Sequence, residues 1–410
     1  MQNLEKNIEQ EAVDSNSFII NQVDLIIKNA IKSSASDIHI ESGQDGARLR
    51  YRIDGILYDQ PKIQENIKSQ VVSRIKVLSN INLAEKRVPQ DGKFIISSED
   101  NLKNIDLRVS TFPSIYGEKV VIRILDRSKN MIRLDALGFD RKMEKDFISL
   151  LERPSGFILV TGPTGSGKTT TLYASLSHLN SPQKNIITLE DPVEYNLDGI
   201  TQGQIHTDAG FTFAKGIRAV LRQDPDIAMI GEIRDKETAQ TAIEASLTGH
   251  QVFSTLHTND APGAIMRLMD MRIEPFLLNA ALTGVLAQRL ARKICDNCKA
   301  ERAVTDKEKK LLDKIIKIDK TVKNFGLDIN KLYYGSGCDS CFNLGYRGRT
   351  GLFELLTVSQ ELRSLVIESP KFDDIRSRAI LDGMTPMIID GLHKVNLGEI
   401  SLDELVRVVW

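Results

Sequence analysis

The sequence has little net charge, few aromatic residues and no long apolar run. Its 54 basic and 55 acidic residues leave a net charge of −1, and aromatic residues make up 6%, with one tryptophan. A protein that acts on nucleic acid needs a basic groove with aromatic stacking platforms. This composition lacks both, so we expect no nucleic acid partner. No apolar run reaches the ~18 residues that cross a bilayer, and the acidic N-terminus is unlike a signal peptide. We therefore expect a cytoplasmic protein.

Cysteine is also scarce, and its placement is informative. The four cysteines form two C-x-x-C pairs, Cys295/Cys298 and Cys338/Cys341. In a cytosolic chain this pattern favours metal binding over disulfides. Four thiolates suit tetrahedral Zn²⁺ in a closed structural site, and four unliganded thiols are the alternative.

A phosphate-binding motif follows a short apolar run, FILV, and precedes a helical pattern. It matches G-x-x-x-x-G-K-[ST], in which backbone N–H groups and a helix N-terminus bind an anion. Lys168 is expected to reach the β- and γ-phosphates, and the Thr169 hydroxyl to bind Mg²⁺. The motif predicts binding of ATP or GTP. The candidate nucleotide-binding residues are Gly162, Pro163, Thr164, Gly165, Ser166, Gly167, Lys168, Thr169 and Thr170.

Polar residues stand at the ends of three later strand-like runs. NIITLED ends in Glu190 and Asp191 and is followed by Glu194, DIAMIGEI contains Glu232, and QVFSTLHT contains His257. In open α/β sheets ligands bind at the carboxyl ends of the strands. Phosphoryl transfer needs one carboxylate to position Mg²⁺ and another to orient or deprotonate water. These acids are candidates for those tasks, and His257 could sense the γ-phosphate; solvated loop charges are the alternative.

The pattern along the chain divides it into five segments. We expect a flexible tail at 1–16, an α+β domain at 17–130 and an α/β core with a parallel sheet at 131–292. The cysteine pairs lie in a zinc subdomain at 293–345, and a helical subdomain follows at 346–410.

The segment between the cysteine pairs carries an amphipathic helical pattern. Leu311, Leu312, Ile315 and Ile316 lie on one face, with lysines around them. Such a face could contact anionic lipid. Packing of the helix on its own zinc module is the favoured alternative.

Four motifs resemble the Walker A, Asp box, Walker B and His box of secretion ATPases, the RecA-like hexameric motors of type II secretion and type IV pilus biogenesis. They are GPTGSGKTT, TLEDPVEY, AMIGEIRD and TGHQVFSTLHTN. AEKRVPQDGKF and LRVSTFPSIYGEKVVIRIL are similar to the family's N-terminal PAS-like domain. The resemblance covers about 17–410. It implies a RecA-like P-loop ATPase core, a PAS-like domain and an inserted tetracysteine zinc module, with ATP, Mg²⁺ and Zn²⁺ as cofactors.

The resemblance also implies roles for arginines outside the P-loop. Arg108 and Arg123 match arginines that reach the nucleotide phosphates when the N-terminal domain closes. Arg218 and Arg222 match a pair on the core domain, and exposed helix cations are the alternative there. Lys168 belongs to the same catalytic set.

Among the acids, Glu232 is the first candidate for the catalytic glutamate and Glu194 the second. The family implies a homo-hexamer that acts on an inner-membrane platform protein. Its longer members carry a further N-terminal domain that docks onto the cytoplasmic domain of an inner-membrane recruiting protein, whereas only 1–16 precede the shared domain here. This short region favours type II secretion over pilus assembly. A nucleic-acid motor and a nucleotide-gated scaffold without turnover are the competing functions.

Overall fold

The chain forms two compact units, Met1–Asn130 and Met131–Trp410. Among the described helices, none combines the length and apolarity that a bilayer span needs. The computed structural model describes residues 2–97, 104–126, 132–318, 329, 331–368 and 370–409.

The first unit is an antiparallel sheet with helices, which confirms the predicted α+β fold. Its described elements are α1 Gln2–Lys32, β1 Ala35–Gly43, β2 Gly46–Ile53, β3 Ile56–Ile63, α2 Glu65–Leu78, β4 Gln90–Ser97, β5 Asn104–Ser114 and β6 Gly117–Asp126. The six strands are ordered β3-β2-β1-β6-β5-β4. Asp54 and Gly55 form the predicted hairpin turn between β2 and β3, and both have positive φ, as a type I′ turn requires.

The predicted flexible tail at 1–16 stays a prediction, and its backbone from Gln2 onward is helical. Helix α1 begins at Gln2 and runs without interruption to Lys32. Glutamine, glutamate, leucine and lysine are good helix formers, which agrees with a helical backbone in the polar N-terminal half. From Ile19 onward, the buried side chains of Val23, Ile27 and Ala30 supply the packed face.

The second unit is a doubly wound α/β domain. Its described helices are α3 Arg141–Leu151, α4 Lys168–Leu179, α5 Phe213–Val220, α6 Lys236–Leu247, α7 Ala261–Asp270, α8 Pro275–Ala281, α9 Asp306–Ile318, α10 Gln360–Ile367, α11 Phe372–Leu381, α12 Met387–Asn396 and α13 Leu402–Val409. Its strands are β7 Gly156–Thr161, β8 Ile186–Glu190, β9 Thr201–Gln204, β10 Ile227–Ile230, β11 Gln251–Leu256, β12 Leu282–Ile294, β13 Lys299–Ala303, β14 Lys331–Gly335 and β15 Tyr346–Thr357.

Seven of these strands form the central sheet, in the order β15-β12-β7-β11-β10-β8-β9. Strand β7 shows why both faces are covered. Phe157 and Leu159 belong to one apolar cluster, whereas Ile158 and Val160 belong to another on the opposite face. Because successive side chains of a strand point to opposite faces, a continuously apolar strand must be buried on both. The predicted parallel sheet is confirmed, with β15 added as an antiparallel edge strand.

One local prediction in this unit is wrong. GLFELL, expected in a mostly helical region, lies in β15, where it pairs with β12 from Leu290 to Val285. The periodicity of a short apolar run is compatible with either a helix or a strand. Here, pairing with the long strand β12 determines that the run is a strand. On the α9 face the structure favours packing over the lipid contact: Ile315 is buried in the main core cluster, and Leu311 and Leu312 pack against that cluster. The side chain of Ile316 lies outside the described residues.

Candidate functional site

The parallel register brings the predicted motifs to one edge of the sheet. Thr161 at the end of β7 pairs with Leu256 at the end of β11. Ile230 at the end of β10 pairs with Leu189 of β8 and with Ser254 of β11. The residues that follow these strands are the P-loop, His257, Glu232 and Asp191, so four segments far apart in sequence meet at the carboxyl edge, as predicted for a ligand site.

The loop between β7 and α4 has the backbone of a phosphate-binding loop. Gly162, Gly165 and Gly167 all have positive φ, where side chains are strained. A Cβ on Gly162 would lie 2.3 Å from the carbonyl oxygen of Gln288. Lys168 Nζ donates to the carbonyl oxygens of Gly162 and Pro163 at 2.8 and 3.1 Å, which holds the ammonium over the loop.

Glu232 lies at the centre of a charged cluster opposite the P-loop lysine. Its Oε1 accepts a hydrogen bond from Arg234 Nη2, and its Oε2 is 3.4 Å from His257 Nε2. Arg234 Nη2 also lies 4.0 Å from Asp191 Oδ2. Burial lowers the pKa of Lys168, while the charge of Glu232 acts in the opposite direction. Lys168, Glu232 and His257, all predicted from sequence, are therefore electrostatic neighbours.

Arg234 is a site residue that the sequence reasoning missed. The hydrogen bond and charge of Glu232 raise the pKa of Arg234, with a smaller contribution from Asp191. Its position two residues after the Walker B acid is the signal that could have identified it. A guanidinium between two strand-end carboxylates keeps them apart without mutual repulsion and offers further donors to an anion.

The three acids at and after the end of β8 have different surroundings. Glu190 is 3% exposed, and its Oε1 accepts hydrogen bonds from Thr188 and Gln202. Asp191 and Glu194 are exposed. The structure thus places Asp191 and Glu194 at the surface of the site and Glu190 beneath it.

Two further contacts hold the P-loop in place. Thr258 donates its backbone N–H to Thr161 Oγ1 at 2.9 Å, which ties the His257 loop to the end of β7. On the other side, the buried Gln288 of β12 donates from Nε2 to the carbonyl oxygen of Ser166 at 2.7 Å. The sequence offered no signal for Gln288, because the pairing of β12 with β7 is a long-range contact.

In the first unit, Arg108 and Arg123 lie directly opposite each other on β5 and β6. The same register position carries Lys93 on β4, Asp37 on β1 and Arg52 on β2. Asp37 Oδ1 accepts from Arg123 Nε at 3.3 Å. Like charges directly opposite each other destabilise a sheet, so a row of three adjacent cations is suited to an anion such as phosphate.

Arg218 and Arg222 have contacts on the core surface. Arg218 Nη2 donates to Glu237 Oε1 at 3.0 Å, and Arg222 Nη1 donates to the carbonyl oxygen of Arg218 at 2.7 Å. These contacts are compatible with both predictions for Arg218 and Arg222, either exposed helix cations or a pair that binds nucleotide. Their assignment to nucleotide stays a prediction.

The four cysteines converge on one point. Their Sγ atoms all lie within 4.8 Å of one another, and three of the pairs are 3.7, 3.8 and 3.9 Å apart. A tetrahedral ion with Zn–S bonds of about 2.3 Å requires S···S distances of about 3.8 Å, whereas a disulfide requires about 2.05 Å. Burial acts to raise the pKa of Cys341, but N–H donors from Cys338 and Gly345, together with hydrogen bonds to the neighbouring thiols, outweigh it and lower the pKa to about 7. This donor set fits zinc.

Glu354 of β15 fastens the loop after His257 to the C-terminal helices. Its carboxylate is buried and accepts the N–H of Ala261, the first residue of α7, at 3.0 Å and the N–H of Met387, the first residue of α12, at 3.2 Å. Burial raises the pKa of Glu354 from 4.5 to about 6, although these two donors oppose the change. Two helix N-termini thus share one buried carboxylate.

The raised pKa predicts a pH-dependent contribution to stability. A carboxyl group whose pKa is higher in the folded state contributes fully below pH 4.5 and loses that contribution as the pH rises through about 6. Relative to Glu354→Gln, which does not titrate, the free energy of unfolding of the wild type should fall by about 2 kcal/mol across this window. Denaturant unfolding of both proteins at pH 4.5 and 7.5, followed by circular dichroism, checks this. Parallel pH dependences of the two proteins would contradict it.

Comparison with known proteins agrees with the P-loop site described above. A family model described as type II/IV secretion system protein matches residues 12–407. Type II secretion system protein E of Aeromonas hydrophila is 47% identical over 395 residues, which cover 96% of this chain and 76% of that protein. The type IV pilus assembly ATPase PilB of Myxococcus xanthus is 45% identical over 388 residues, covering 95% and 67%.

A solved structure shows the same fold. The pilus retraction motor PilT with bound ADP is 26% identical, with a TM-score of 0.59 over 93% of this chain and 95% of that one. The predicted fold class and family are both confirmed. The chain belongs to the type II/IV secretion system protein family and is one of its P-loop ATPases.

Proposed function

We propose that this protein is a cytoplasmic homo-hexameric motor, peripheral to the inner membrane, that couples ATP hydrolysis to assembly of a type II secretion pseudopilus and so to protein export. Type II secretion names predominate among the relatives, which supports this reading. The relative named as a pilus assembly ATPase supports the alternative, extension of a type IV pilus. The proposed partners are an inner-membrane platform protein and the cytoplasmic domain of a recruiting protein.

The convergence of Lys168, Glu232, Arg234 and His257 at one sheet edge carries the proposal. The P-loop amides and Lys168 would hold the phosphates of ATP, and Thr169 would hold Mg²⁺, which supplies charge neutralisation at the phosphates. Glu232 and Glu194 are the two carboxylates proposed for positioning the ion and the attacking water, with Glu232 the first candidate for the base. Glu190, Asp191, Arg218 and Arg222 remain proposed contributors to nucleotide binding.

Substitution of the two carboxylates tests this assignment. Glu232→Gln should still bind ATP but should hydrolyse it at least about 10²-fold more slowly, because an amide keeps the shape and cannot accept a proton. Glu194→Gln should also slow turnover. Mg²⁺-dependent phosphate release and binding of a fluorescent ATP analogue measure the two effects separately. Glu244→Gln, on the exposed surface of α6, is the matched control and should match the wild type.

The outcomes of these measurements distinguish between the candidate bases and between the candidate functions. Wild-type turnover in Glu232→Gln would remove that residue from the mechanism and leave Glu194 as the base. A wild-type protein that binds ATP without Mg²⁺-dependent hydrolysis would overturn the motor in favour of a nucleotide-gated scaffold. Stimulation by single-stranded DNA would favour a nucleic-acid motor instead.

A further inference from the structure

Tyr173 is a buried tyrosine on α4, the helix that begins at Lys168. Its side chain is fully buried, and its hydroxyl donates to Glu190 Oε2. The hydroxyl oxygen of Tyr173 also accepts the backbone N–H of Glu194 at 3.4 Å. Burial, followed by the hydrogen bond and charge of Glu190, raises the pKa of Tyr173, so the hydroxyl stays a donor at physiological pH. One side chain thus joins the nucleotide-binding helix to the segment that carries Glu194.

Glu190 is a buried carboxylate held by neutral donors. Besides Tyr173, Thr188 donates to its Oε1 at 2.6 Å and Gln202 Nε2 donates to the same atom at 3.1 Å. Burying a carboxylate costs free energy unless its oxygens accept hydrogen bonds. Apolar side chains at this position would avoid that cost. Buried networks of this kind specify one arrangement of the elements that they join.

Gln202 of β9 holds the other end of the same segment. Its Nε2 also donates to the carbonyl oxygen of Tyr195 at 3.2 Å, and its Oε1 accepts the N–H of Leu197 at 2.7 Å. The ring of Tyr195 packs edge-on against that of Tyr173, with centroids 4.7 Å apart. Backbone atoms of Glu194, Tyr195 and Leu197 are therefore held by the side chains of two residues outside the segment.

We propose that Tyr173, Glu190 and Gln202 are positioning residues that fix the 194–197 segment, and with it the Glu194 carboxylate, relative to the P-loop helix. This inference rests on the proposed function, in which Glu194 is one of two carboxylates that act in hydrolysis. The N-terminus of α4 would hold the phosphates while Tyr173, one turn further on, holds the carboxylate segment. One rigid helix would then position both the phosphates and the segment that carries Glu194.

Tyr173→Phe is the sharpest test, because it removes the shared hydroxyl and keeps the ring contact with Tyr195. The value of kcat should fall roughly tenfold to a hundredfold, while the Kd for a fluorescent ATP analogue stays within about twofold, because only the reacting geometry is disturbed. Ser175→Ala is the matched control. It also removes a buried hydroxyl from α4, but that hydroxyl donates to the carbonyl oxygen of Thr171 within the same helix, so kcat should not change.

A double-variant cycle separates positioning from general destabilisation. If Tyr173 acts through Glu194, then Tyr173→Phe combined with Glu194→Gln should be no slower than Glu194→Gln alone. Gln202→Ala provides an independent variant on a short edge strand, and it should lower kcat with the same unchanged Kd even if Tyr173→Phe folds poorly.

The outcomes distinguish failure of the proposed function from failure of the positioning role alone. An inactive wild-type protein would overturn the proposed function and this inference with it. An active wild type accompanied by wild-type kcat in both Tyr173→Phe and Gln202→Ala would overturn the inference alone. So would losses that multiply in the double variant, or wild-type turnover in Glu194→Gln.

Discussion

Arg123→Ala protein should bind ATP but hydrolyse it about 10³-fold more slowly than the wild type, and adding Lys168→Ala protein should restore part of the rate. An arginine that stabilises charge on the transferred phosphoryl group contributes ~10³ to 10⁵ in rate, whereas it contributes less to ground-state binding. Lys168→Ala should be inactive for a different reason, since it removes the ammonium from the phosphates and so also weakens ATP binding.

The sheet of the first unit supports the choice of Arg123. Its side chain is 66% exposed and lies beside Arg108 in a row that also contains Lys93. Such a row gains stability when an anion is added. Arg48→Ala is the matched control, because Arg48 is an exposed arginine on β2 of the same sheet, paired with Asp59, and its loss should leave turnover unchanged.

The mixing experiment decides where Arg123 acts. If the arginine of one subunit serves the nucleotide of its neighbour, mixed rings contain interfaces with both Arg123 and Lys168 intact, and phosphate release rises above the sum of the two variants. If the arginine acts within its own chain, mixing restores nothing. For the ring motor, the specific activity of the wild type should rise steeply with protein concentration. Full activity at concentrations where the protein is monomeric would overturn the ring.

Removal of zinc should unfold the cysteine module and leave the ATPase sheet folded. The protein should carry one Zn²⁺ per chain, and Cys298→Ser should lose it, because three thiolates and a hydroxyl bind the ion far more weakly. Structural zinc contributes on the order of 10 kcal/mol to folding of its local module. One cysteine pair precedes β13 and the other follows β14, so the ion would hold the end of this two-stranded sheet together.

Metal analysis and hydrogen exchange check this prediction. Amide protons of β13 and β14 should lose protection in Cys298→Ser, whereas those of β7 and β11 should keep it. Ser340→Ala is the control, since Ser340 lies inside the second cysteine pair and bonds Asn297 rather than a thiol. Less than about 0.2 zinc per chain in protein purified without chelator would contradict the assignment.

Patterns confined to a few adjacent residues predicted local geometry that the structure contains. The P-loop glycines, the turn at Asp54 and Gly55 and the paired cysteines each depend on a conformation or ligand chemistry that a short stretch dictates. Long-range contacts were the source of the error. Residues 351–356, GLFELL, are apolar enough for a buried helix, and their extended form follows from pairing with β12.

By itself, the sequence determined which residues meet at the carboxyl edge of the sheet, because continuous apolar strands impose a parallel order and their ends carry Glu232, His257 and the P-loop. Tertiary structure alone decided how those residues are held. Arg234 bridges toward Asp191, Gln288 supports the P-loop, and Tyr173 joins α4 to the Glu194 segment. Each of these contacts joins residues that no short periodicity relates, and their partners are chosen by the packing of whole elements.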